Sequence, residues 1–212
     1  MSVLAALIQD GRTVLLQNID AEALQAEGAI SSETAAERAR SALNSAGLAQ
    51  LWSAPNCALE QEQLLVDCSD VCSGLTQLER AVDQAPARSP GCVLLADIEC
   101  IALVDYAAGQ TTWETRERGF LLRDTDGSAG PPDASSEETL RGEQMRQRVE
   151  ELYAWLPMLD EEDVAERARA ILQQEPIWQP HTVLSVFVDV EVGRVHWCRS
   201  GTPWQTDWSA LP

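Results

Sequence analysis

Lysine is missing from this chain of 212 residues: all 15 basic residues are arginine, set against 34 acidic ones, for a formal charge of −19. A field of that sign repels phosphate backbones, so direct nucleic-acid binding is disfavoured. It disfavours anionic membrane surfaces in the same way. It suits solubility, or a partner protein carrying a basic surface. The missing lysine fits an arginine- and alanine-rich coding bias. The other reading is avoidance of lysine-directed modification.

Histidine is almost as scarce. His181 and His196 are the only imidazoles, so most hydrolytic schemes lack a general base. No phosphate-binding loop, dinucleotide fingerprint, nucleophile elbow or zinc-protease motif is present. No apolar run reaches the length of a transmembrane helix. The start, Met1 to Asp10, has no basic leader region. The expected setting is therefore cytoplasmic, with Cys57, Cys68, Cys72, Cys92, Cys100 and Cys198 as reduced thiols.

Phe and Tyr number two each, against seven Trp. Those indoles need burial or a partner. Hydrophobic residues make up 45% of the chain, enough for a packed core.

The patterning predicts an α+β protein: an antiparallel sheet of two hairpins packed with several amphipathic helices, the whole of 1–212 forming one domain. Residues 1–88 read as mainly helical, with 13–19 either strand or helix. Thr34 and Glu37 fit a capping box. Leu64, Cys68, Val71, Cys72, Leu75, Leu78 and Val82 recur at helical spacing. Residues 91–123 read as a β-hairpin whose returning half, around Trp113 to Arg118, is polar, as an exposed or edge strand would be. Residues 124–134 form a loop rich in Gly, Pro and Asp. Residues 135–176 form a helical pair broken at Pro157, with Asp160 capping the second helix. Residues 181–212 give a C-terminal hairpin and a tail carrying Trp204 and Trp208.

Three constellations could carry chemistry. Cys68 and Cys72 are four apart on the expected helix, and His196 and Cys198 two apart on a strand. Together they would make a tetrahedral zinc site, the one cofactor the sequence suggests; the competing reading makes the cysteines small core residues. Cys198, His196, Asp189 and Asp97 are the candidates for thiol or carboxylate catalysis. The tail indoles Trp204 and Trp208 are candidate anchors for a partner, unless the tail folds back over the sheet.

Three function classes follow. The first is a non-enzymatic, acidic protein-interaction factor, such as an accessory protein, chaperone, inhibitor or immunity protein, or viral host-interaction protein. The second is an enzyme using carboxylate or thiol chemistry. The third is an acidic mimic of nucleic acid, which needs carboxylates at phosphate-like spacing along one surface.

Overall fold

The computed structural model describes residues 2–21, 32–53, 67–84, 91–107, 110–125 and 136–208. Among these residues, ten strands and four α-helices make it α+β. The strands are β1 (Ser2–Gln9), β2 (Arg12–Asp20), β3 (Ala49–Trp52), β4 (Gly91–Ala96), β5 (Ile101–Ala107), β6 (Gln110–Arg116), β7 (Gly119–Thr125), β8 (Thr182–Asp189), β9 (Arg194–Arg199) and β10 (Gln205–Trp208). The helices are α1 (Ser32–Ser41), α2 (Val71–Gln84), α3 (Ser136–Trp155) and α4 (Glu161–Leu172).

The strands form two antiparallel sheets rather than the single sheet expected. One runs β10-β9-β8-β2-β1-β7, the other β3-β4-β5-β6. The reason lies in β1 and β2. Leu4, Ala6, Ile8, Leu15 and Ile19 face one way, and Val3, Ala5, Leu7, Val14 and Leu16 the other; all are buried. Side chains alternate along a strand, so a strand apolar at every position must be covered on both faces.

The inner cover is the four-stranded sheet. Leu51, Cys92, Leu94, Ala96, Ile101 and Leu103 pack against the inner faces of β1, β2, β8 and β9. Ala35, Ala36 and Ala39 of α1 pack into the same core. The outer cover of the six-stranded sheet is α3 and α4, through Met145, Val149, Leu152, Val164, Ala168 and Leu172 around Phe187. The outer face of the four-stranded sheet is covered by α2, whose Val71, Leu78 and Val82 meet Val93, Leu95, Val104 and Tyr106. The layers therefore run helix, sheet, sheet, helices.

Two adjacent polar residues of β2 pin these layers. Gln17 points inward, and its Nε2 donates to the Trp52 carbonyl at 2.8 Å, across the gap between sheets. Asn18 points outward, and its Nδ2 donates to the carbonyls of Leu172 at 2.8 Å and Ile177 at 3.0 Å. Both side chains are buried, where an unmet polar group is costly.

Several sequence expectations are corrected. The described residues of 1–88 hold β1, β2 and β3 beside α1 and α2, and 13–19 is strand. The helix expected from Leu64 starts at Val71, with Leu64 outside the described residues. Asp70 sets that start, its Oδ1 accepting from the Ser73 N–H at 2.7 Å and its carbonyl from the Gly74 N–H at 3.0 Å. Residues 91–123 hold four strands, not one hairpin. Gly119, at φ 119°, sits where the chain leaves β6 in one sheet for β7 in the other, a conformation that favours glycine. Of the loop at 124–134, Asp124 and Thr125 belong to β7 and the rest lies outside the described residues.

α3 ends at Trp155, before Pro157, and the Asp160 side chain accepts from the Asp163 N–H at the start of α4. β8 and β9 pair antiparallel from Leu184–Arg199 to Asp189–Arg194. Among the described residues, no helix is long and apolar enough to cross a membrane.

Asn18→Ala should destabilise the protein by about 1–3 kcal/mol in urea unfolding, since two buried carbonyls lose their donor. A loss below about 0.5 kcal/mol would show that the pin is dispensable.

Candidate functional site

The proposed zinc ligands do not converge. Cys68 lies just before α2, buried in the core between that helix and the four-stranded sheet, and Cys72 is exposed on α2. His196 and Cys198 sit on β9, on the outer face of the other sheet, the side of Phe187 and α4. Both sheets separate the two pairs. Among the described residues, no three His, Cys, Asp or Glu side chains cluster to hold a metal ion.

The catalytic candidates hold structural bonds. His196 stacks on Phe187, ring centroids 5.3 Å apart, and its Nδ1 lies 2.9 Å from the Thr206 hydroxyl. Burial, with the cations of Arg169 and Arg194 nearby, pushes its pKa down to about 4. Burial raises the Cys198 thiol above its ordinary value, and it hydrogen-bonds with Ser185 and Gln173. A neutral thiol beside a residue other than an imidazole is a poor nucleophile. Asp189 is held above the usual carboxylate range by burial, and its Oδ1 accepts from the Val192 N–H in the β8–β9 turn. Asp97 accepts from the Val71 N–H at the start of α2 and from the Glu99 and Cys100 N–H groups in the β4–β5 turn.

The tryptophan tail folds back. It forms β10, paired with β9 from Gln205–Trp197 to Trp208–Arg194. Side chains lock it on both faces: Thr206 meets His196 outside, and Asp207 accepts from Trp197 Nε1 at 2.9 Å inside. Trp204 is half-buried against the outer core, and its Nε1 has no hydrogen-bond partner among the described residues. Trp208 takes its place in the ladder through its backbone. The tail's backbone is therefore held in the sheet from Gln205 to Trp208.

Among the described residues two indoles are exposed, Trp155 at the end of α3 and Trp113; Trp155 is covered in part by the Arg167 guanidinium, 5.3 Å from its ring centroid, which leaves Trp113. It lies on β6, an edge strand bonded on one side to β5 alone. β6 is exposed along nearly its whole length, and Trp113 is 46% exposed. The ladder places it opposite Val104, hence on the α2 face of the sheet. The exposed charges of these elements are mixed: Glu79, Arg80 and Asp83 on α2, Glu114 and Arg116 on β6, and Glu117 and Arg118 just beyond it. Arg116 is taken up by Glu114, its Nε 3.0 Å from Oε1. The polar alternation of 113–118 fits an exposed or edge strand, and among the described residues β6 pairs with β5 alone.

Comparison with known proteins gives no kinship: no family model and no curated protein matches this sequence.

His196 supplies a pH test. Its folded pKa lies below the unfolded value of 6.5. Between those values the unfolded chain binds more protons, so stability falls as pH drops from 6.5 towards 4. His196→Gln should flatten that slope by roughly 1–3 kcal/mol across the window in urea titrations. Identical slopes in both proteins would place the imidazole in solvent.

Proposed function

We propose that this protein is a non-enzymatic, acidic interaction factor that binds an extended, basic segment of another protein at the β6 edge. One observation carries the reading: β6 is a regular seven-residue strand that, among the described residues, is paired on one side alone. Such an edge offers backbone donors and acceptors to an added strand. Trp113 gives that strand an apolar contact, and exposed indoles are favoured in binding hot spots.

Charge selects the partner. The chain carries −19 overall. A basic strand would be drawn in by the long-range field, then aligned by backbone hydrogen bonds. Bulk acidity alone does not argue for mimicry of nucleic acid. Many acids open helices, as Glu161, Glu162 and Asp163 do in α4, where the helix dipole favours them.

The test is affinity capture with the full chain from its native source, followed by crosslink mapping. A basic protein should be recovered, crosslink to residues 110–117, and weaken as salt rises. Trp113→Ala should reduce its affinity by about tenfold or more. Crosslinks confined to other surfaces, or undiminished binding by the variant, would overturn the assignment. Dimerisation of this chain through β6 in place of a foreign partner would do so too.

A further inference from the structure

A cleft of ≈ 550 Å³ opens between α3 and the segment leading into β8. Its size is within the range of small-ligand pockets. Arg141, Gln144 and Arg148 line one wall; their spacing of three and four residues puts them on one face of α3. Gln147 flanks them, and Trp178 and Gln179 stand opposite with two prolines.

The opposite wall is held in place. The Trp178 N–H donates to the Gln174 carbonyl at 2.8 Å, and the Gln179 N–H to the Thr182 hydroxyl at 3.0 Å. Arg141 reaches across to the Pro176 carbonyl at 3.4 Å.

Two guanidinium groups and one carboxylate, the exposed Glu175, line the cleft. Arg148 lies 3.5 Å from Glu151, with both side chains close to half exposed. A surface pair of that kind is weak and readily exchanged. A guanidinium prefers a carboxylate it can meet through two hydrogen bonds. The indole of Trp178, half-buried in the wall, offers a flat apolar surface for a ring.

We infer that this cleft binds a small aromatic carboxylate. The carboxylate sits on Arg148 beside Arg141, the ring lies against Trp178, and the glutamine amides take the remaining polar groups. The site is separate from the β6 edge and stands or falls independently of it.

The test is an NMR titration of the ¹⁵N-labelled full chain with 1-naphthoate, using neutral 1-naphthamide as control. 1-Naphthoate should give saturable shifts at the Trp178 indole N–H and the Arg148 Nε–H, with affinity at least about tenfold above the amide. Arg148→Gln, at a partly exposed helix position, should fold and lose about tenfold in affinity. Trp178→Leu, checked for native spectral dispersion, should reduce naphthoate to the affinity of acetate. Absence of saturable shifts, equal affinity for acid and amide, or full binding by Arg148→Gln would overturn the assignment.

Discussion

Burial of both faces of the β1–β2 hairpin is the constraint from which the architecture follows. Val3 through Ile8 put an apolar side chain on each face in turn, and β2 repeats the pattern up to the polar pair Gln17 and Asn18. A sheet with such a centre needs two covers. The chain supplies a second sheet inside and a helical pair outside. That second sheet then has an outer face of its own, which α2 closes. Gln17 and Asn18 interrupt the apolar run only where each has a backbone carbonyl to meet.

Once the faces are covered, the edges decide what the molecule can do. One end of the six-stranded sheet is finished by β10, fastened through Thr206 on one face and Asp207 on the other. Arg40 of α1 adds a contact to Asp207 from the side, at 3.9 Å. In the second sheet β3 is a short edge of four residues, all buried. β6 is longer, exposed on both faces, and protected from indiscriminate pairing only by its charges. The residues with reactive potential are drawn inward and spent on structure. His196 braces β10, Asp97 caps α2 and Asp189 closes a turn.

Much of this was legible in sequence, and the failures have physical causes. Some elements are legible in the sequence: β8 and β9 by their alternation and turn, α4 by the Asp160 cap, and β6 by its polar alternation. β1 did not, because a strand buried on both faces loses the period-two signal and reads like a short buried helix. α2 begins later than the spacing predicts because Cys68 matches that spacing by chance, while Asp70 governs where the helix begins. That error also created the zinc hypothesis, which needed Cys68 and Cys72 on one helix face. β10 was hidden by its length, since four residues carry too little pattern. The cleft beside Trp178 was out of reach, because it joins residues some thirty positions apart. Its arginines looked like ordinary members of a solvated helix.

Native-state hydrogen exchange, read amide by amide, tests the central claim that the hairpin centre is sealed while the β6 edge is open. Amides of β1 and β2 should exchange only through global unfolding, and alternate amides of β6, those facing away from β5, should exchange rapidly in the free protein. Slow exchange at every β6 amide would mean that the edge is already covered. Fast exchange in β1 would mean that the hairpin is not the sealed centre on which the layers depend.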